Sequence, residues 1–261
     1  MTGEHLYNLT ELLACVAASL LENGCSVFVG TGLPLVGAML AQRTHAPGLL
    51  IMFEAGGIGP QVPVLPISVG DSRTYYKASA ASSMHDVMSA SQAGYVDYGF
   101  LGGAAMDCFG NVNTTAIGDW SHPKARLPGS GGANDVGSFC WRTIYLMRQQ
   151  SPRTFVNKLD FVTTPGYLTG PGARERAGLP AGTGPYRVIT QLGVYGFDEA
   201  TRRLQLLVLH PGVTVPQVQE ASEFEILIPD RIGISPEPTS DQVRILREID
   251  PRGLVIGKQC R

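Results

Sequence analysis

The strongest constraint on the fold of this chain is a short apolar run that ends abruptly in a carboxylate. Leu49 to Phe53 are successive apolar residues, preceded by Pro47-Gly48 and followed by Glu54 and then Gly56-Gly57. A run of this length, apolar on both faces and bounded by turn residues, predicts a buried β-strand. Glu54 then lies at the carboxyl end of the strand, the edge of an open α/β sheet at which ligands bind. For this residue alone, a solvated carboxylate beginning a turn is an equally open interpretation.

The segment before this strand predicts a parallel α/β unit. Ser26 to Val29 is a short apolar strand, Gly30-Thr31-Gly32 a turn, and Pro34 suits the first turn of a helix that runs towards Arg43. Strand, helix and strand in succession imply a parallel pair with a right-handed crossover. We therefore expect an α/β fold with an open, mostly parallel sheet flanked by helices.

The Gly30-Thr31-Gly32 turn differs from the known nucleotide fingerprints. Leu35 stands where G-x-G-x-x-G requires its third glycine, and no P-loop lysine follows. NAD and ATP are discounted on this ground. Backbone N–H groups at the start of the following helix would suit a phosphate or pyrophosphate. Simple packing of the strand against the helix explains the turn equally well.

Composition excludes several classes of protein. With 44% hydrophobic residues in 261, the chain can bury a substantial core. Only 16% of residues are charged and the net charge is -2, which argues against nucleic acid and against an anionic membrane surface. The five cysteines form no CxxC pair and the five histidines have no metal-ligand spacing, so we expect neither disulfides nor a metal site. We also expect no signal peptide, no membrane span and a cytoplasmic location.

The middle of the chain alternates predicted strands with glycine-rich loops. Val96 to Leu101 leads into a glycine-rich turn in which Asp107 and Asn111 favour turn conformations. A third glycine loop, 128–135, precedes a strand predicted over Thr143 to Met147. Further strands are predicted at Val64–Val69, Phe161–Thr163 and Phe224–Ile228, with a hairpin around residues 198–201. Helices are predicted to begin at Asn8, Ser83, Thr214, and Ser240 or Asp241.

Two stretches show little periodicity. Residues 55 to 82 include Arg73, Tyr75, Tyr76 and Lys77, basic and aromatic groups that either reach an anionic ligand or lie at the surface. The Gly/Pro-rich segment 164–186 is predicted to be an excursion or lid, because loops of that length in compact domains are usually functional. No linker or internal repeat divides the chain, so residues 1–261 are predicted to form a single domain.

Four motifs together resemble the β subunits of class I CoA-transferases. They are the strand-end Glu54, the Gly-x-Gly-x-Pro turn before it, the Asp-x-x-Gly-Asn-Val-Asn turn of residues 107–113, and the Gly-Gly-Ala-x-Asp loop of residues 131–135. His210 to Thr214 and Ile249-Asp250-Pro251 are similar to the same family, so the resemblance covers nearly the whole chain. The Phe-Glu-Ala-Gly-Gly form around Glu54 resembles the β subunit of glutaconate CoA-transferase more than the succinyl and 3-oxoadipate enzymes, which have Ser-Glu-Asn-Gly there.

The resemblance implies a fold of the NagB/RpiA-like type and an enzyme that moves CoA between an acyl-CoA and a carboxylate acceptor. A dicarboxylic, glutaconate-like acyl group fits the branch. Glu54 is implied as the nucleophile, which forms a mixed anhydride and then a glutamyl-CoA thioester, with ping-pong kinetics. No cofactor is permanently bound, since coenzyme A is a substrate.

The same resemblance assigns roles to two loops and requires a partner. Backbone N–H groups of Gly131-Gly132-Ala133 are implied as oxyanion donors. Gly30, Thr31 and Gly32 are implied as part of the CoA site, although Phe28 replaces an Asn of the succinyl-type pattern. The expected partner is an α subunit of similar fold, in a heterodimer or heterotetramer.

Three alternatives share the fold. Ring-opening acyl-CoA hydrolases and a decarboxylase of the methylglutaconyl-CoA type resemble this family but lack the glutamate, the decarboxylase having Cys there. Retention of Glu54 favours transfer, although a retained carboxylate also suits a general base. A ligand-binding module without catalysis is the third alternative, since a fold alone does not assign function, and it would form no covalent adduct on Glu54.

Overall fold

The computed structural model describes residues 7–257. In these residues the α-helices are α1 (Leu9–Ser19), α2 (Leu33–Arg43), α3 (Met84–Gln92), α4 (Ala133–Phe139), α5 (Ala173–Arg176), α6 (Val215–Glu220) and α7 (Ser240–Ile249), with a 3-10 helix at Ser72–Tyr75. The strands are β1 (Ser26–Phe28), β2 (Leu50–Met52), β3 (Gly57–Ile58), β4 (Ala80–Ala81), β5 (Tyr98–Leu101), β6 (Ala105–Met106), β7 (Val112–Asn113), β8 (Ala116–Ile117), β9 (Ala125–Arg126), β10 (Arg142–Leu146), β11 (Pro185–Ile189), β12 (Gly193–Phe197), β13 (Leu204–Leu209) and β14 (Gly233–Ile234).

The chain divides into two compact units. The first unit contains the described residues up to Ser89 together with those from Pro236 onward, and the second contains Ala90–Ser235. In the first unit β1 and β2 are parallel, with Phe28 opposite Met52, and β3 and β4 continue the sheet in antiparallel fashion. Helix α2 connects the parallel strands and packs against α1 and α7. This is the strand–helix–strand unit that the sequence predicts.

The second unit has its own parallel strands. The order is β5, β10, β11, β12, β13 and β14, in which the first three are parallel, β12 and β13 form an antiparallel hairpin, and β14 pairs with β13 in parallel. Three aromatic side chains with no solvent exposure, Tyr145, Phe155 and Tyr195, lie in its core. The predicted α/β class, with parallel strands flanked by helices, is confirmed, and antiparallel strands extend both units. Whether residues 1–261 act as a single domain stays a prediction.

Local sequence signals account for the helices of the first unit. Asn8 and Glu11 form a capping box at α1, since the Asn8 side chain accepts from the Glu11 N–H and the Glu11 carboxylate accepts from the Asn8 N–H, both at 2.9 Å. The same carboxylate pairs with Arg247 of α7, with 2.9 Å between Oε1 and Nε. A Pro in the first turn begins α2, as predicted.

Three predicted strands are wrong within the described residues. Val64–Val69 is irregular, and the Leu65 N–H donates to the carbonyl of Ile249 at the end of α7 instead of joining a sheet. Phe161–Thr163 and Phe224–Ile228 form no ladder, and only single bridges occur there, at Thr164 and Leu227. The apolar residues in these two segments are typical of buried, irregular chain and not of a β-strand. Helix α4 lies where the sequence predicts a loop. The sequence did not indicate this helix because its N-cap residue, Gly132, has no side chain that could cap it.

The segment 164–186 contributes a buried arginine to the second unit. Arg174 is 2% exposed, and its Nη atoms donate to the carbonyls of Pro165, Gly166, Gly137 and Ser138 and to the Thr183 hydroxyl at 2.8–3.2 Å. Burial lowers the pKa of Arg174 because the cation loses its hydration. The guanidinium therefore ties two carbonyls of this segment to two at the end of α4. Its role as an excursion or lid stays a prediction.

A buried polar network in the second unit contains the histidine of the His210–Thr214 motif. His210 is 2% exposed, with 2.9 Å from Nε2 to the Thr190 carbonyl oxygen and 2.8 Å from Nδ1 to Ser235 Oγ. A carbonyl only accepts, so Nε2 holds the proton and Nδ1 accepts from Ser235. Desolvation lowers the pKa of His210, because a buried imidazolium would be unfavourable. The histidine is therefore a neutral structural group.

This geometry predicts an acid-sensitive stability. The folded-state pKa of His210 lies below the unfolded value of about 6.5. The stabilisation that neutral His210 gives the folded state is therefore fully present above about pH 6.5, and it is lost as the pH falls through the folded-state pKa. Below pH 6.5 the free energy of unfolding should fall by up to about 1.4 kcal/mol per pH unit from this one proton. Urea denaturation between pH 5 and 8 measures it. His210→Asn should reduce the pH dependence of the unfolding free energy, whereas His122→Asn, at an exposed position, should not change it. Equal pH dependence in the wild type and both variants would contradict the assignment of His210 as a buried neutral group.

Candidate active site

Glu54 lies in a tight turn between β2 and β3 of the first unit. Phe53 to Gly56 form a four-residue turn closed by the Gly56 N–H donating to the Phe53 carbonyl at 2.9 Å, and the Phe53 N–H donates to the Gly57 carbonyl at 2.9 Å. The Glu54 side chain is half-buried and makes no hydrogen bond or ion pair with the described residues 7–257. A carboxylate at a strand end with both oxygens unengaged is chemically available as a nucleophile or base.

The two glycines after Glu54 are required by close backbone contacts. Gly56 has a φ of +112°, and a Cβ there would lie 2.0 Å from the Ser82 carbonyl oxygen. At Gly57 a Cβ would lie 2.2 Å from the carbonyl oxygen of Thr74. Only glycine allows this conformation and this approach. The backbone carbonyls of Thr74 and Ser82 therefore pack directly against the turn that contains Glu54.

The aromatic and basic groups predicted for this region have structural partners. The Tyr75 hydroxyl donates to the carbonyl of Ala55, the residue after Glu54. Arg73 pairs with Asp71, with 2.5 Å between Nη2 and Oδ2, and its guanidinium also donates to the Leu65 carbonyl. The sequence did not indicate this contact of Tyr75 with the turn, because twenty positions separate Tyr75 from Ala55.

The glycine turn before α2 lies at the same strand edge as Glu54. Because Phe28 and Met52 are opposite each other in parallel strands, Gly30 and Glu54 both follow their strand ends by two residues. The Val29 N–H donates to the Met52 carbonyl at 3.1 Å, which extends this alignment. A Cβ built on Gly30 or Gly32 meets no atom within 4 Å, so the turn is open on its outer side. The structure thus brings the predicted CoA-binding turn and Glu54 to one edge of the first unit.

The Gly131-Gly132-Ala133 loop belongs to the second unit, at the start of α4. The Ala133 N–H donates to the Ser130 carbonyl at 2.9 Å. The N–H groups of Gly131 and Gly132 make no hydrogen bond within the part of the chain that the structure describes. The loop is fixed by Thr114, whose hydroxyl donates to the Gly129 carbonyl at 2.9 Å. Two of the three predicted donors therefore have unengaged N–H groups.

The Asp-x-x-Gly-Asn-Val-Asn motif is a structural turn of the second unit. The Asp107 carboxylate accepts from the N–H groups of Phe109 and Asn111 and from the Asn111 amide, at 2.7–3.0 Å. Asn111 in turn donates to the Leu168 carbonyl and accepts from the Gly166 N–H, both at 2.8 Å. Burial raises the pKa of Asp107, and these hydrogen bonds oppose the rise. The motif holds segment 166–168 in place.

Other reactive groups do not form a second centre in residues 7–257. These residues contain no group of three or more His, Cys, Asp or Glu side chains arranged to hold a metal ion. Desolvation raises the pKa of Cys15 to about 12 and that of Cys140 to about 11, so both buried thiols stay protonated and unreactive at neutral pH. None of the helices in this part of the chain combines the length and apolar character that crossing a bilayer requires.

Comparison with known proteins places this geometry in a family. The coenzyme A transferase family model matches residues 11–221. The β subunit of glutaconate CoA-transferase from Acidaminococcus fermentans is 38% identical over 94% of this chain and 93% of its own length. The corresponding subunit of 3-oxoadipate CoA-transferase from Pseudomonas knackmussii is also 38% identical, over 94% of both chains. Overall identity therefore does not separate these two branches.

The fold agrees with the same relatives. The crystal structure of glutaconate coenzyme A-transferase from Acidaminococcus fermentans superposes with a TM-score of 0.92 at 37% identity, covering 97% of this chain and 99% of that one. The backbones thus match across nearly the whole length of both chains. The predicted resemblance is confirmed, and the chain belongs to the coenzyme A transferase family.

Proposed function

We propose that this chain is the β subunit of a CoA-transferase that works with an α subunit and uses Glu54 as its nucleophile. The observation that supports this most is the Glu54 carboxylate, which is half-buried at a strand end and has no partner among residues 7–257. A structural carboxylate in a turn usually bonds nearby N–H groups, as Asp107 does. The unengaged oxygens of Glu54 instead suit attack on a carbonyl carbon.

The proposed chemistry proceeds in balanced steps. A Glu54 oxygen attacks the thioester carbon of acyl-CoA, the C–S bond breaks, and CoA leaves as its thiolate, giving a mixed anhydride. The thiolate then attacks the Glu54 side-chain carbonyl carbon, the anhydride C–O bond breaks, and the acyl group leaves as its carboxylate. A second carboxylate reverses these steps on the glutamyl-CoA thioester. Covalent catalysis of this kind divides a difficult exchange into two easier ones.

The two glycine loops have proposed roles in this cycle. Gly30, Thr31 and Gly32, at the same strand edge as Glu54, would contact part of CoA. Gly131 and Gly132 in the second unit would donate to a developing oxyanion, whereas Ala133 would first have to release the Ser130 carbonyl. Loss of one such donor typically costs about 2.7 to 4 kcal/mol of transition-state stabilisation. The CoA itself is a substrate and no resident cofactor is required.

For the acyl group we propose a dicarboxylic acyl-CoA of the glutaconate type. The support is the Phe53-Glu54-Ala55-Gly56-Gly57 sequence and the close match in fold to the glutaconate enzyme. The measurement is the kcat/KM of the co-expressed subunits with glutarate or glutaconate against acetate as acceptor. A preference for acetate or for a 3-oxoacid would contradict this choice while leaving the transferase reaction intact.

The proposed intermediate can be trapped directly. The co-expressed subunits are incubated with acyl-CoA and quenched with hydroxylamine, which attacks the glutamyl thioester to release CoA and leave a hydroxamate on Glu54. Peptide mass spectrometry should find this label on Glu54 after treatment with acyl-CoA and not after treatment with the free acid. Consumption of acyl-CoA without any label would defeat the covalent mechanism and favour the hydrolase or decarboxylase alternatives.

A further inference from the structure

The peptide that follows Glu54 is held from outside the turn by one side chain. The Tyr75 hydroxyl donates to the Ala55 carbonyl, the sole hydrogen bond that this carbonyl accepts from the described residues. The N–H of the same peptide belongs to Gly56 and donates to the Phe53 carbonyl at 2.9 Å. Both polar ends of the Ala55–Gly56 peptide are therefore fixed. We propose that Tyr75 is the positioning residue of Glu54, and this inference rests on the proposed covalent role of Glu54.

Tyr75 is held on a rigid support. It ends the 3-10 helix Ser72–Tyr75, which Asp71 caps by accepting from the Arg73 N–H at 3.0 Å. Thr74 has no solvent exposure, and its hydroxyl donates to the Asp71 carbonyl at 2.7 Å. The Asp71–Arg73 ion pair adds a further link within the same turn. The hydroxyl of Tyr75 is therefore presented from a fixed backbone.

The ring of Tyr75 lies near Gly57, since a Cβ built on that glycine would be 3.7 Å from Tyr75 Cδ1. The Ser82 N–H donates to the Gly56 carbonyl at 2.9 Å, so the next peptide along is held separately. Removing only the hydroxyl would leave the ring in place and would not touch the Ser82 bond. It would release only the carbonyl end of the Ala55–Gly56 peptide.

Release of this carbonyl should matter because Gly56 has no side chain to restrict its backbone conformation, and its remaining restraints are its N–H bond to Phe53 and its carbonyl bond from Ser82. Glycine crosses between backbone conformations more readily than other residues, so an unbound Ala55 carbonyl can tilt. The backbone that carries the Glu54 side chain would then be less firmly fixed. A misplacement of about 1 Å is enough to cost about 100-fold in a positioned reaction. Contacts at Gly30-Thr31-Gly32 are untouched, so binding of acyl-CoA should change little.

The test is Tyr75→Phe in the co-expressed pair, with Tyr76→Phe as the matched control. Tyr76 is the next residue and is 48% exposed, with the Lys77 ammonium 5.6 Å from the centre of its ring. The rate constant for Glu54 labelling at saturating acyl-CoA should fall about 10- to 100-fold in Tyr75→Phe, with KM nearly unchanged, and stay at the wild-type value in Tyr76→Phe. Misfolded enzyme lowers the labelled amount and not the rate constant, so the two causes are separated.

The possible outcomes separate the positioning role of Tyr75 from the covalent role of Glu54 on which it rests. Wild-type enzyme that never labels at Glu54 overturns the proposed function, and the role of Tyr75 with it. Labelling in the wild type together with an unchanged rate constant in Tyr75→Phe overturns the positioning role alone. An equal loss in both variants also overturns it, because the Tyr76 hydroxyl makes no hydrogen bond to the turn within residues 7–257.

Discussion

Glu54→Gln is expected to lower CoA transfer by about 10³-fold or more, because the amide cannot form the anhydride through which the proposed exchange proceeds. The side chain keeps its size, and the turn is held by backbone bonds of Phe53, Gly56 and Gly57 that the change does not touch. Assembly with the α subunit and thermal stability should therefore stay at wild-type values. The rate of acyl exchange at saturating substrates measures the effect.

The control for this variant is an equal loss of charge elsewhere. Glu220, the exposed last residue of α6, lies outside the proposed site, so Glu220→Gln should retain full exchange. A Glu54→Gln enzyme that still exchanges acyl groups at the wild-type rate would contradict the nucleophile assignment. One that loses exchange but still consumes acyl-CoA would instead point to hydrolysis or decarboxylation as the native reaction.

Arg174→Met is expected to lower the free energy of unfolding by about 3 kcal/mol or more. The guanidinium is 2% exposed and donates to four carbonyls and to the Thr183 hydroxyl, and the variant loses all five of these hydrogen bonds, although the Ser138 carbonyl still accepts from Thr183. The apolar side chain avoids the cost of burying a charge, but it cannot donate to any of them. Urea denaturation of the isolated chain measures the change.

The same helix supplies the control. Arg176, two residues along α5, is exposed and makes one long bond to the Pro171 carbonyl, at 3.4 Å. Arg176→Met should change stability by no more than about 0.5 kcal/mol. Arg174→Lys keeps the charge but has fewer donors in a different geometry, and should lie between the two. Equal stability of Arg174→Met and the wild type would show that the carbonyls find other partners.

Much of the first unit is predictable from local sequence. The capping box at Asn8, the Pro in the first turn of α2 and the apolar run before Glu54 are signals contained within a few residues, and each element forms where its signal lies. The strands are one or two residues shorter than their apolar runs, because Val29 and Phe53 complete the ladder by single backbone bonds. For these three elements, helix or strand type is therefore predicted better than the end residues.

What the sequence does not indicate is set by contacts between distant positions. Arg174 lies in a Gly/Pro-rich stretch that resembles an open loop, and its burial depends on carbonyls from residues 137 and 138. The hydrogen bond from Tyr75 to Ala55, the residue after Glu54, likewise joins residues twenty positions apart, with no periodicity to relate them. The strand-end position of Glu54 is predictable from the apolar run, and its proposed role as nucleophile comes from the family resemblance. The contact of Tyr75 with the following residue is not predictable from either.

The discontinuous first unit has a consequence for synthesis on the ribosome. Helix α7 packs on α1 and α2, and its Arg247 pairs with the buried Glu11 of α1, yet these partners are separated by more than 200 residues. The whole of Ala90–Ser235 emerges before α7 does. The apolar surface of α1 and α2 must therefore stay uncovered, or be shielded by a chaperone, until α7 has been synthesised. The second unit, by contrast, is a continuous stretch that can complete its own core before the ribosome adds that helix.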